Sequence, residues 1–184
     1  MVIMCARLPE QPRPAPTTAV ANPRWLDASE QRVWRSYLAA TQLLTERLDQ
    51  DLQRESGIPH TYYEVLVRLS EVEDRTLRMS DLADRSLSSR SRLSHAVARL
   101  EEAGWVRRES CPTDRRGQLA VLTDAGFAAL EAAAPVHVEG VRTHLFDQLT
   151  NEQVRQLGEI CTAVADHLRA DRPAGSADAG ASPG

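Results

Sequence analysis

The chain contains no lysine: all 22 of its basic residues are arginine. This reads first as GC-rich coding and only second as chemistry, although arginine suits bidentate contacts to phosphate and guanine better than lysine does. Aromatic residues make up only 4% of the chain, which excludes a ring-dominated core and leaves alanine and leucine to pack helix against helix. The three cysteines, Cys5, Cys111 and Cys161, are too few and too irregularly spaced for a disulfide framework or a zinc ligand set. No apolar run approaches the length of a membrane span. The MVIMCA start is too short and too poorly flanked for a signal peptide, so a cytoplasmic location is expected. Gly-rich phosphate loop, HExxH and nucleophile elbow are all missing, and the nearest Ser/His pair, Ser91 and His95, has no acid at useful spacing. No enzymatic activity, cofactor or resident metal is therefore expected.

What is present is concentrated in one place. Residues 85–116 hold eight arginines against four acids, a balance of +4 in a chain whose net charge is −4. An acidic protein that gathers its positive charge in one segment presents that segment to a polyanion. A charge run alone would more simply be a solvated helix face. The order around it decides otherwise: an arginine-bearing helix, a glycine, a strand, a second arginine-bearing segment and another strand.

With 184 residues and 42% hydrophobic content the chain can bury one core. Residues 1–24, with five prolines, and 172–184 are expected to be disordered, leaving one unit over 25–171. Helical periodicity predicts a first helix over 29–55, with Val33, Tyr37, Leu44, Leu48 and Leu52 in register and Trp34, Leu38 and Leu43 widening the stripe. A second helix is predicted over 61–73, and a short third one after Ser80 as N-cap, with Leu82 and Ala83 inward. The fourth, over 90–103, buries Leu93, Ala96, Val97 and Leu100 and stops at Gly104. Strands are predicted over 105–109 and 118–122, joined by a seven-residue turn, 111–117, which Pro112 and Gly117 bracket. Thr123 or Asp124 caps a fifth helix to about Leu149, with a kink or break at Pro135 or Gly140. Thr150 and Gln153 form a capping box for a sixth, whose apolar stripe is Val154, Leu157, Cys161, Val164 and Leu168. The fold class is thus mainly α: a winged helix-turn-helix with a small antiparallel β-wing. Its N- and C-terminal helices, 29–55 and 124–170, carry more apolar surface than a 61–123 lobe can cover, and a homodimer is expected there.

The exposed side of the fourth helix falls to Arg90, Ser91, Arg92, Ser94, His95 and Arg99. Its arginines can reach guanine edges in a major groove. Ser88, Ser89 and Ser91 suit phosphate hydrogen bonds, and equally the capping of a turn. His95 can donate to DNA or stand solvated. Arg115, at the expected wing tip, can enter a minor groove beside Arg116, with Asp114 holding a neighbouring arginine in place. Of Arg107 and Arg108, one is expected near the DNA backbone and the other merely exposed. Trp34, Tyr37, Tyr62 and Tyr63 read as core packing or as the lining of an effector pocket. His137, His144 and His167 read as core or surface histidines, with a metal site as the sharper alternative. Cys111 invites a redox role, while Cys161 reads as core.

The chain resembles the MarR family of winged-helix transcription regulators. The resemblance rests on Leu82-Ala83, on Ser89 to Gly104 as recognition helix, and above all on Pro112-Thr113-Asp114-Arg115-Arg116-Gly117 followed by Leu122-Thr123-Asp124-Ala125-Gly126. Cys111 stands where the family usually carries an acid. The resemblance covers about 29–169 and implies an obligate dimer on a pseudo-palindromic operator in double-stranded DNA. It also implies repression as the usual output, and frequent release by a small phenolic or lipophilic ligand, with the effector pocket between dimer base and DNA-binding lobes. The alternative is a helical dimeric adaptor that binds protein and reads no DNA.

Overall fold

Asp27 starts the first helix. Its carboxylate accepts from the backbone N–H groups of Ser29 and Glu30 at 2.6 and 2.8 Å, and Glu30 accepts from Asp27 N–H at 2.9 Å. This reciprocal cap satisfies donors that a helix start leaves open. The computed structural model describes residues 23–86, 90–112 and 114–170. Two units divide the chain, one ending at Leu38 and the other beginning at Ala39. Most of the expected N-terminal disordered segment and the whole C-terminal one lie outside the described residues. Helix α1 (Ala28–Ser56) begins in the first unit, where Val33, Trp34, Tyr37 and Leu38 are exposed.

In the second unit α1 continues with Leu48 and Leu52 buried, and is followed by α2 (His60–Ser70), β1 (Thr76–Arg78) and α3 (Met79–Arg85). Then come α4 (Arg90–Glu102), β2 (Val106–Cys111), β3 (Asp114–Leu122), α5 (Asp124–His144), a 3-10 turn (Phe146–Gln148) and α6 (Asn151–Ala170). The sheet is antiparallel in the order β1-β3-β2. One apolar core joins Leu52, Tyr63, Leu66 and Leu69 to Leu77, Leu82, Leu93, Val97, Leu100, Val106, Leu122 and Leu130. Each fully buried aliphatic side chain stabilises such a core by about 1.5–3 kcal/mol.

The wing is anchored where α5 begins. Thr123 caps α5: its hydroxyl accepts from Gly126 N–H at 3.0 Å and donates to the Gly104 carbonyl at 2.8 Å, and its N–H donates to the Trp105 carbonyl at 3.0 Å. Gly126 is required here, because a Cβ would lie 2.1 Å from the Trp105 oxygen. On the other side of the sheet, Arg75 takes a positive φ of 49° in the turn before β1. Its guanidinium lies 3.9 Å from the Phe127 ring centroid and pairs with Asp124 at 3.2 Å.

Several expectations are corrected. β1 is an additional strand. Ser80 is not an N-cap; Arg78 holds that position, and the Ser80 hydroxyl turns to Asp81. The wing loop is shorter than expected, because β2 runs to Cys111 and β3 starts at Asp114, which puts Arg115, Arg116 and Gly117 in a strand. A register irregularity between Ser110 and Cys111 absorbs the mismatch, so the glycine marks a close approach within the strand instead of a turn. α5 runs unbroken through Pro135 and Gly140 but ends at His144, short of Leu149. The Thr150–Gln153 capping box is present, with hydrogen bonds of 2.9 and 3.3 Å. Cys161 is exposed on α6, and is not part of the core. Among the described residues no helix is long and apolar enough to cross a membrane.

α1 and α5 are joined by one buried charge. Asp51 is 8% exposed and binds His144 at 2.9 Å, Arg54 at 3.1 Å and Arg47 at 3.3 Å. The His144 hydrogen bond, more than burial opposes it, holds the Asp51 carboxyl below the usual carboxylate range, with Arg47 and Arg54 acting in the same direction.

Two outcomes follow from this packing. Gly126→Ala should lower stability by about 1–3 kcal/mol in urea unfolding, as overpacking against backbone does; an unchanged midpoint contradicts the Trp105 contact. For Asp51, a depressed folded-state pKa means stability that is present above the unfolded pKa and lost as pH falls through the folded one. The stability gap between wild type and Asp51→Asn, at fixed protein concentration, should be full at neutral pH and close below the usual carboxylate range. A gap independent of pH contradicts the charge cluster.

Candidate nucleic-acid interface

α4 separates its faces by burial. Leu93, Ala96, Val97 and Leu100 are at most 3% exposed, which turns Ser91, Arg92, Ser94, His95 and Arg99 to the surface. Those positions recur at the i, i+4, i+8 spacing of one helix side, at Ser91, His95 and Arg99, with Arg92 and Ser94 flanking it. Arg99 is engaged with Glu102 at 2.7 Å, one turn before the helix end. Ser88 and Ser89 lie outside the described residues, and Arg90 supplies the first residue of α4.

The angle between this helix and the wing is set by Arg108. Its guanidinium donates from Nη2 to the Ser94 carbonyl at 2.8 Å, its backbone N–H donates to Glu101 at 3.2 Å, and its Nε pairs with Glu101 at 3.6 Å. Arg108 is half-buried, whereas Arg107 points outward and pairs with Glu109 at 2.6 Å. One of the two was expected near the DNA backbone and the other merely exposed; Arg107 is exposed, while Arg108 is turned inward and staples β2 to α4. Its carbonyl partner, 14 residues upstream, carries no mark in the sequence.

Arg115 and Arg116 follow Asp114 along β3. Asp114 itself pairs with Arg78 of β1, Nη1 to Oδ2 at 3.7 Å. Arg78 lies outside the segment 85–116 that the charge pattern singled out. The signal that could have found it is the strand pairing of β1 with β3, which a three-residue strand conceals.

The residues considered for a ligand are distributed between the units. In the first, the exposed Trp34 and Tyr37 rings are 6.0 Å apart and stacked. In the second, Tyr62 is half-buried and Tyr63 is buried, with its ring 4.6 Å from His137. His137 lies 5.5 Å from His60, and burial pushes its pKa down, with the neighbouring His60 adding to the effect. Burial raises the Tyr63 phenol. Among the described residues no three His, Cys, Asp or Glu side chains are grouped as a metal ion would require. Cys111 is buried in β2 at the wing.

The MarR family model matches residues 56–117, which run from the end of α1 to the wing. Among solved structures the chain is similar to Sco3205, a MarR family transcriptional regulator from Streptomyces coelicolor crystallised in complex with DNA. Identity is 56%, coverage is 83% of this chain and 94% of that one, and the TM-score is 0.77. It is also similar to AbsC, a MarR family transcriptional regulator from the same organism, at 46% identity, 81% and 100% coverage and a TM-score of 0.74. Among curated proteins it is similar to the HTH-type transcriptional regulator PecS of Dickeya dadantii, 33% identical over 89 residues and 48% of this chain. That match spans only about half of PecS, 53% of its length.

Arg92→Ala should separate reading from mere attraction. Loss of a bidentate base contact costs about 1–3 kcal/mol and relaxes preference at particular base pairs. Binding measured on a set of single-base operator variants should show that relaxation. Equal losses on operator and random duplex would move Arg92 to the DNA backbone.

Proposed function

The chain belongs to the MarR family, so it is a DNA-binding transcription regulator and not an enzyme, and we propose that it acts as a homodimer that represses from a pseudo-palindromic operator. The observation that carries this reading is the division of α4 into a fully buried apolar side and an exposed side of Ser91, Arg92, Ser94, His95 and Arg99. A helix held in this way by its lobe can enter a major groove, with its N-terminal half toward the bases. Ser88, Ser89 and Arg90 lead into that helix, and Asp114, Arg115 and Arg116 belong to the wing that flanks it.

Support for the dimer comes from α6. None of its side chains is buried, yet Ile160, Val164 and Leu168 form a line at i, i+4 and i+8, exposed by 61%, 53% and 58%. Val138 of α5 and Leu43 of α1 are exposed by similar amounts. Apolar rows of this length on a water-soluble surface call for a partner, and a second copy supplies one of matching chemistry. A two-fold pair would place two α4 helices on half-sites about one helical turn apart.

The reading includes release from DNA by a small aromatic or lipophilic ligand. Within the second unit Tyr62, and Tyr63 beside His137, are the ring surfaces suited to it, and Trp34 and Tyr37 are those of the first. Such a ligand must favour the free form over the DNA-bound form, since equal affinity shifts nothing.

Sedimentation at micromolar concentration should give a dimer. Val164→Glu, which sets a charge in the apolar row, should dissociate it and weaken binding to a duplex from its own upstream region. A monomeric wild type that binds that duplex with full affinity contradicts the dimer.

A further inference from the structure

We propose that Arg78 contacts the DNA backbone, its guanidinium set over the cleft between wing and recognition helix by the carboxylate of Asp114. The proposal rests on the DNA-binding reading above and adds to it a residue and its target, a phosphodiester group.

Arg78 ends β1 and is the N-cap residue of α3. Its backbone is fixed from the sheet side by pairing opposite Leu119 of β3. From there the side chain reaches Asp114, the first residue of β3, with 3.7 Å between Nη1 and Oδ2. That separation exceeds a hydrogen bond. At that distance Asp114 acts on the guanidinium through charge. Both side chains retain solvent access, at 35% and 48% exposure.

Three elements meet at this point. Arg78, Ser80, Ser94, Asp114 and Gln118 line a cleft of about 420 Å³ between the start of α3, α4 and the wing. Ser94 belongs to the exposed polar side of α4, so the cleft opens beside the helix surface assigned to the groove. The Arg78 guanidinium, the Ser94 hydroxyl and the Gln118 carboxamide line it, while the Ser80 hydroxyl is turned to Asp81; guanidinium, hydroxyl and carboxamide are the donor chemistry that positions a protein on phosphate oxygens. Among the described residues Asp114 is the one acid of the cleft, and it faces the arginine. Gly117 permits this arrangement: a Cβ at that position would lie 3.0 Å from the Asp114 Oδ2 and 3.1 Å from the Cys111 Cβ.

The test uses the full chain, a duplex from its own upstream region and a random duplex of equal length, each titrated over a range of salt. Arg78→Ala should weaken binding to both duplexes by a similar factor. It should also make the slope of log affinity against log salt shallower by about one for each subunit, the signature of one lost phosphate contact. Asp114→Asn should weaken binding although it removes a negative charge. The double variant should bind no more weakly than Arg78→Ala alone, because a positioning residue has nothing left to position. Should Arg78→Ala fail to fold, Arg78→Lys serves in its place: it keeps the charge, so affinity should fall with the slope nearly retained. A wild type that binds while Arg78→Ala keeps the full slope overturns the proposal alone, and so does tighter binding by Asp114→Asn, since the carboxylate would then merely repel DNA. A wild type that binds neither duplex overturns the DNA-binding reading and this proposal with it.

Discussion

Burial of one side of α4 is the constraint on which the rest depends. Leu93, Ala96, Val97 and Leu100 sink into a core shared with α2, α3 and the sheet. A helix so seated has no freedom to roll, because any rotation would bring arginine inward and leucine outward, and a charge without a partner is costly inside a core. The direction of Arg92 and His95 is therefore a consequence of apolar packing on the opposite side. Their chemistry is supplied locally, but their aim is supplied by the core.

The wing needs its own anchors, since a two-stranded ribbon has little stability in isolation. It has three. β1 adds a third strand to the sheet. Arg108 ties β2 to the Ser94 carbonyl of α4. Thr123 and Gly126 bring the start of α5 against Gly104 and Trp105. The Leu-Thr-Asp-Ala-Gly motif thereby has a physical meaning: the threonine hydroxyl bridges helix cap and strand start, and the glycine allows the two backbones to touch. The resemblance to the MarR family is carried by residues that hold the wing against α4 as much as by the residues of its exposed polar side.

How much of this could be read in the sequence followed from the range of each interaction. α4, its buried stripe and the Thr150–Gln153 cap are local patterns within a few residues, and they were legible. The two strands of the hairpin were legible as well, but their extent was not. Pro112 and Gly117 suggested a turn, whereas Gly117 lies in β3 where side chains crowd. β1 is three residues long, too short for the alternation of Thr76, Leu77 and Arg78 to announce it. Interactions across long separations left no trace: Asp114 with Arg78, 36 residues upstream, and Asp51 with His144, 93 residues downstream. Cys161 illustrates another limit. An apolar stripe states that a surface must be covered, but not whether the same chain covers it, and here α6 leaves it exposed.

The central claim is that the polar side of α4 lies against DNA, and site-specific crosslinking tests it most directly. A photo-reactive side chain placed at His95 should form adducts with a duplex from the protein's own upstream region, at a few discrete bases. The same group at Glu131, exposed on α5, should form none under identical occupancy. Adducts from position 131 and none from position 95, on DNA that is demonstrably bound, would contradict the account.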